Sequence, residues 1–477
     1  MVIRSLSVAL VFAVVFGILF PKAGIAESTR SEDFAKDPHW DAVNNRIDPK
    51  NAKTVVQDFG YSKTNHAGGE SPGEIGGRIT RSLTKASYAK KIEEKTLEDK
   101  LSASGQFAVP AAEGGSAMLF GWFNSDSDGW RTPNSLAFRL DGNGGKYWVF
   151  FEYGTQAYGT GGGDTFEGER YQTTSTPPTP SGDKVHHWEL SYDPEGADGH
   201  GEMTFTFDGE TFTAPLLEGH KEQGAVFNRF GIINQMTTGS DMEVYFDDIT
   251  LDGEKFTFEQ DPNWEGVGNH VEYKDKIVRP FHDFGYSETN HAGGEPGEMG
   301  GVVWRIEDSH PENAAYYGDK VGKLTLDDRL EASGKVSMLR AGADSAGMIG
   351  WFNSKTFREG SIPRNFLGVQ IEGPSRVGHY FRPAYMNDRL VGENPGQGPL
   401  IRPDGKQYEW KLVYDPEANN GLGEITVQLN GEKVSLPLRP GAREGGAEFD
   451  RFGMVTFLRG GHHVEIYFDD LTYTVGP

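Results

Sequence analysis

The sequence predicts an all-β protein of two tandem antiparallel jelly-roll β-sandwiches, and three observations carry that prediction. The stretch from Phe59 to Glu70 returns from Phe284 to Glu295, identical except for Lys63 against Glu288, so the chain is a tandem duplication with the same glycine-rich turn in each copy. Apolar and polar residues alternate in most of the repeated segments, the period of half-buried strands, and Asp208-Gly209 and Asn430-Gly431 lie between such runs as hairpin turns. Composition agrees: 64 glycines and 25 prolines punctuate a chain with 30 Phe, 18 Tyr and 9 Trp, which suits short aromatic-rich strands joined by many turns. Each strand must bury one face, and two stacked sheets per copy achieve that.

Taken in order, residues 1–26 read as a secretory signal peptide, with Arg4, an apolar run from Leu6 to Phe20, and small residues ending at Ala26. The run is short for a bilayer span, and no later segment approaches one. The first sandwich is expected over 27–254 and the second over 255–477. Asp37-Pro38-His39-Trp40 and Asp261-Pro262-Asn263-Trp264 mark the start of each unit, and no proline- or serine-rich linker separates the two, so they should sit close together. Thr96 to Gly105 matches Thr325 to Gly334, Gly121-Trp122-Phe123-Asn124 matches Gly350-Trp351-Phe352-Asn353, and Trp188 to Glu195 matches Trp410 to Glu417. Within Trp188 to Tyr192 the period of two puts Trp188, Leu190 and Tyr192 on one face and Glu189 and Ser191 on the other. Each unit closes on Tyr-Phe-Asp-Asp, at Tyr245 to Asp248 and Tyr467 to Asp470. Short helices are expected only around Tyr88 to Glu98 and Pro311 to Tyr317.

Against 46 Lys and Arg stand 70 Asp and Glu, a formal charge of −24 that becomes −26 once Arg4 and Lys22 leave with the signal peptide. That balance argues against a nucleic-acid partner. It suits solubility outside the cytoplasm, secreted or periplasmic, with a neutral or cationic partner or bound divalent cations. The absence of cysteine rules out disulfides, thiolate metal sites and lipoprotein attachment.

From Gly-Trp-Phe-Asn, through Trp-x-Leu-x-Tyr-Asp-Pro and a Gly-x-Gly-Glu turn (Gly199 to Glu202, Gly421 to Glu424), to the final Tyr-Phe-Asp-Asp, both units resemble the concanavalin A-like lectin and glucanase superfamily, which includes laminin G-like modules. The resemblance implies an exported carbohydrate-binding protein that recognises a polysaccharide or glycan on concave sheet faces. It leaves open a glycoside hydrolase or polysaccharide lyase on the same scaffold, or a structural or adhesive surface module. In similar modules an aspartate on the last strand helps hold a structural calcium, which would assign Asp247, Asp248, Asp469 and Asp470 as metal ligands. The glucanase pattern Glu-x-Asp-x-Glu is absent, as are a Gly-x-Ser-x-Gly elbow, His-Glu-x-x-His, a P-loop and a dinucleotide fingerprint.

Ligand-binding candidates fall in three places. The glycine-rich turn offers His66 and Glu70, with His291 and Glu295 in the second copy, together with Glu74 and Glu298; a His near carboxylates can move a proton, but the glycines equally describe a structural corner. Trp122 and Trp351 could stack on sugar rings or pack in the core. The copies diverge at Tyr147 to Tyr153 and Gly378 to Tyr385, where Trp148 and Glu152 stand against His379, Tyr380 and Arg382, so function is expected there. Asn124 to Gly129 carries alternating oxygen ligands like a calcium loop, without the closing Glu.

Overall fold

The computed structural model describes residues 28–50, 52–164, 178–342, 344–373 and 378–477, so the expected signal peptide lies outside the described residues. The chain folds into two antiparallel β-sandwiches of jelly-roll type. In the first, a nine-stranded front sheet has Gly182–Asp193, Leu101–Ala112, Asp241–Leu251 and Glu74–Thr80 side by side. It stacks on an eight-stranded back sheet that contains Lys146–Gly154, Ser135–Gly142, Ala117–Phe123, Val226–Asn234 and Ser87–Thr96. The second sandwich repeats this order, with Gln407–Asp415, Leu330–Ala341, His463–Val475 and Glu298–Trp304 in front. Its back sheet contains His379–Met386, Phe366–Glu372, Ala346–Phe352, Glu448–Val455 and Tyr316–Thr325.

The period of two places the core as expected. Trp188, Leu190 and Tyr192 are buried while Glu189 is exposed, and across the sandwich Phe246 of the front sheet stacks on Phe120 of the back sheet with ring centroids 4.1 Å apart. Each such ring contributes about 1.5–3 kcal/mol through burial. The hairpin turns also stand where expected, with Asp208 and Gly209 at φ of 48° and 89° and Asn430 and Gly431 at 45° and 92°, the left-handed pair a two-residue turn requires. The expected helices do not form. Tyr88 to Glu98 is largely the strand Ser87–Thr96, paired along its length with Val226–Asn234 and at its start also with Glu265–Val267, and Pro311–Asn313 is a single 3₁₀ turn before the strand Tyr316–Thr325. Ladder hydrogen bonds outweigh the helix preference of Lys and Glu.

Hydrogen bonding does not follow the repeat boundary. Ser28–Glu32 pairs with the last strand of the second sandwich, and Asp41–Val43 pairs with that sandwich's Tyr316–Thr325. Conversely Glu254–Phe256, Glu265–Val267 and His270–Lys274 all pair with strands of the first. Trp40 packs on Tyr317 and Tyr473 of the second sandwich, whereas Trp264 packs near Tyr88 of the first. Each unit therefore carries the other's lead segment, and the two are clasped together as well as adjacent.

Candidate functional site

The glycine-rich turn is a docking corner for these exchanged leads. Both oxygens of the buried Glu74 accept backbone hydrogen bonds, from His66 N at 2.9 Å and Ala67 N at 2.8 Å, and Glu298 does the same for His291 N and Ala292 N at 2.8 and 2.7 Å. The extra residue of the first copy, Ser71, is absorbed within the loop that this clamp closes, without breaking it. Gly73, at φ 139°, faces the carbonyl of Phe258, and Gly297, at φ 126°, faces that of Phe34; a side chain at either position would overlap the incoming segment. His66 and His291 lie on Tyr245 and Tyr467, with centroids 4.4 and 4.6 Å apart, and Glu70 and Glu295 are exposed beside them.

The aspartate pairs of the last strands are split in direction. Asp247 is buried, its Oδ1 accepting from Asp248 N at 2.7 Å and its Oδ2 lying against Gly69 without a hydrogen-bond partner. Burial raises its carboxyl to about 7, and that of Asp469 to about 6, helped by the neighbouring carboxylates. Asp248 and Asp470 face outward, to Gln106 at 3.3 Å and Lys335 at 2.7 Å. Among the described residues no three of His, Asp and Glu are grouped so as to hold a metal ion. In the Asn124 loop, Asn124 Oδ1 accepts from Asp126 N and Ser127 Oγ donates to Pro133 O.

The tryptophans expected to stack on sugars do not reach solvent. Trp122 and Trp351 are fully buried between the sheets, Trp122 against Phe230 and Trp351 donating to Thr474 O at 3.0 Å, so neither can stack on a sugar. Strand parity divides the other candidates. On Lys146–Gly154, Trp148 and Glu152 share the outward face, where buried Glu152 is paired with Arg131 at 3.4 Å and Arg139 at 3.1 Å. On His379–Met386, Tyr380 and Arg382 share the outward face, with Arg382 on Glu372 at 2.6 Å. His379 points the opposite way, buried with Nε2 2.7 Å from Ser345 Oγ and its pKa depressed by burial to about 4. His379 therefore lies on the opposite face from Tyr380 and Arg382, and the three candidates are not brought together.

An open site lies on the front sheet of the first sandwich, of whose walls sequence reasoning singled out only Glu70 and Asp248. Cavities of about 430, 400 and 260 Å³ adjoin there, sharing Ser104, Glu189, Asp248, Thr206 and Thr250 on their walls. Together they form a trough from Glu70 and Phe256 at one end, past Asp248 and Gln106, to His187, Ser191 and Thr204. The side chains of Ser104, His187, Glu189, Ser191 and Thr250 make no hydrogen bond or ion pair among the described residues. The corresponding face of the second sandwich is occupied by its own charges. Lys335 stands where the first has Gln106, Lys411 where it has Glu189, and Glu331 where it has Ser102. They pair as Lys335–Asp470 at 2.7 Å, Lys411–Glu331 at 3.5 Å and Arg329–Glu331 at 2.9 Å.

Each unit is the antiparallel β-sandwich that the motifs implied. No protein-family model matches the sequence, and no curated protein matches it. Among solved structures, domains LG4-5 of the mouse laminin alpha1 chain align over 89% of this chain and 92% of their own at 11% identity and a TM-score of 0.25. An exolytic alginate lyase from Zobellia galactanivorans covers 43% of this chain and 89% of its own at 14% identity and a TM-score of 0.25. Peanut lectin covers 41% and 90% at 12% identity and a TM-score of 0.24. Function rests on this protein's own side chains. Among the described residues no helix is long and apolar enough to cross a membrane.

Proposed function

We propose that this is an exported glycan-binding protein whose binding surface is the front-sheet trough of the first sandwich. One observation carries the reading: the trough walls are hydroxyls, an amide, an imidazole and carboxylates, of which five side chains have no partner inside the described protein. Such groups accept and donate in the pattern that sugar hydroxyls need, and a trough open at its sides admits a chain rather than a single ring. Phe256, half-buried at one end, offers the apolar surface against which a ring can rest. Glu152 lies outside the trough and is held by two arginines.

Affinity electrophoresis through gels containing a panel of polysaccharides tests the reading. At least one neutral polysaccharide should retard the wild type. His187→Ala combined with Glu189→Ala should weaken retardation about tenfold, about 1.4 kcal/mol. Glu409→Ala combined with Lys411→Ala, at the matching positions of the second unit, should leave it unchanged. Retardation that survives the first pair of substitutions, or an absence of retardation by the whole panel, overturns the proposal. Release of reducing ends or unsaturated products during incubation would replace it with a hydrolase or a lyase.

A further inference from the structure

The floor of the trough is not made by the first repeat alone. Across the strands the register gives one continuous row: Thr206 pairs with Glu189, Glu189 with Ser104, Ser104 with Thr250, and Thr250 with Lys255. Directly opposed residues share a face of a sheet, and this face is the outer one, because Leu190, Ala103, Ile249 and Leu251, chain neighbours of the row, are all buried. Every member of the row stands on a wall of the adjoining cavities, Thr250 on those of about 260 and 400 Å³ and Lys255 on the latter. With strands about 4.8 Å apart, the row from Glu189 to Lys255 spans roughly 14 Å. Lys255 reaches it from the other repeat. It is the middle residue of Glu254–Phe256, the strand by which the second repeat's lead is docked on the first sandwich.

The matching row of the second sandwich shows what Lys255 replaces. There Lys411 pairs with Ser333, Ser333 with Thr472, and Thr472 with Ser31, which the first repeat's lead delivers. Those groups are spent on the protein itself: Ser31 and Thr472 share a hydrogen bond at 3.0 Å, and Lys411 pairs with Glu331 at 3.5 Å. In the first sandwich the side chains of Glu189, Ser104, Thr250 and Lys255 make no hydrogen bond or ion pair among the described residues. The residues flanking the lysine anchor its strand, Phe256 edge-on against Trp264 at 5.5 Å and Glu254 on Lys90 at 3.5 Å, so Lys255 is held in place without being used to hold it. It also shares a cavity wall with Glu70, Asp248 and Glu259 without pairing with any of them. The row thus ends in an acceptor at Glu189 and a donor at Lys255, with hydroxyls that do both between them. That sequence suits neutral sugars, whose own hydroxyls both donate and accept.

Taking the trough as the glycan site, on which this inference rests, we propose that Lys255 is a specificity-determining residue delivered to it by the second repeat, and that a neutral polysaccharide lying across the strands from Glu189 to Lys255 holds the exchanged lead in its seat. The trough is then a composite of both repeats, and the exchange of leads serves recognition as well as cohesion. A ligand that binds only the docked arrangement stabilises it by mass action, and docking in turn strengthens binding.

Affinity electrophoresis of the full chain through laminarin, xylan, galactomannan and dextran, with mobilities taken relative to a gel without polymer, tests the lysine. Lys255→Ser gives the first sandwich the residue that the other lead carries, at an exposed position, and should weaken retardation about tenfold. Lys255→Arg, which keeps a cationic donor there, should weaken it less. Hydrogen exchange tests the linkage: whichever of the four polymers retards the wild type should slow exchange over 254–256 severalfold in the wild type, not in Lys255→Ser, and should leave 28–32 on the second sandwich unchanged. Undiminished retardation of Lys255→Ser, with retardation lost in the protein carrying His187→Ala and Glu189→Ala, overturns this inference and leaves the trough standing as the glycan site. Exchange over 254–256 that the retarding polymer does not slow overturns it as well. A wild type that none of the four polymers retards overturns both.

Discussion

The front sheets of the two sandwiches share strand order, register and a final Tyr-Phe-Asp-Asp, yet their outer surfaces have opposite chemistry. In the first, Gln106 reaches Asp248 as a neutral donor and Ser102, Ser104 and Glu189 leave a trough open beside it. In the second, Lys335, Lys411 and Arg329 saturate Asp470 and Glu331, and the surface is closed on itself. The difference teaches that duplication preserved what holds the chain together, the Glu74 and Glu298 clamps and the buried tryptophans, while leaving the solvent side of each strand free to change.

Four experiments break or sharpen this comparison. The largest effects should be equal in the two units: Trp122→Ala and Trp351→Ala should each cost about 3–5 kcal/mol in denaturant unfolding, because both rings are fully buried. A strongly unequal pair would mean that the scaffolds themselves differ. Acidification should separate the units next. Burial holds His282, His379 and His462 near 4 and His463 near 3, all on the second sandwich. With folded pKa values below the unfolded value of about 6.5, their neutral forms stabilise the fold above that pH, and the contribution is lost as pH falls from about 6.5 through about 4. Hydrogen exchange should therefore show the second sandwich opening first, with a fall in melting temperature of roughly 5–10 °C by pH 4. The binding difference itself should yield to one substitution. Gln106→Lys reproduces the second unit's ion pair on Asp248 and should weaken polysaccharide retention about tenfold, or about 1.4 kcal/mol. The reverse change, Lys335→Gln, should cost less than about 1 kcal/mol of stability, since the Lys335–Asp470 pair is exposed; calorimetry would check this.

How much of this could be read from the sequence follows from which interactions are local. Strand periodicity and the Asp-Gly and Asn-Gly turns are local, and they gave the sandwich architecture and the inward face of Trp188, Leu190 and Tyr192. Parity alone also separates His379 from Tyr380 and Arg382, a signal present in the sequence and not used. The burial of Trp122 is different, since both faces of its strand are apolar and only the opposing sheet decides. The trough required knowing that Ser104, Glu189 and Thr206 lie on adjacent strands, and these residues are ordinary surface composition taken singly. The exchange of lead segments was hidden for a deeper reason. Duplicated units have matching seats, so Asp37 to Trp40 and Asp261 to Trp264 fit either sandwich, and the sequence holds no preference that local reasoning can detect.

That exchange also sets an order of assembly. Ser31 and Thr472 share a hydroxyl contact although 441 positions separate them, so a segment made early pairs with one made much later. The first sandwich can be complete once residue 274 has emerged, whereas the second must wait for residue 475 and then recover the segment 28–32 left far behind. Closing so long a loop is slow relative to local pairing. A refolding experiment should accordingly resolve two phases, and deletion of residues 28–43 should abolish the later one while sparing the earlier.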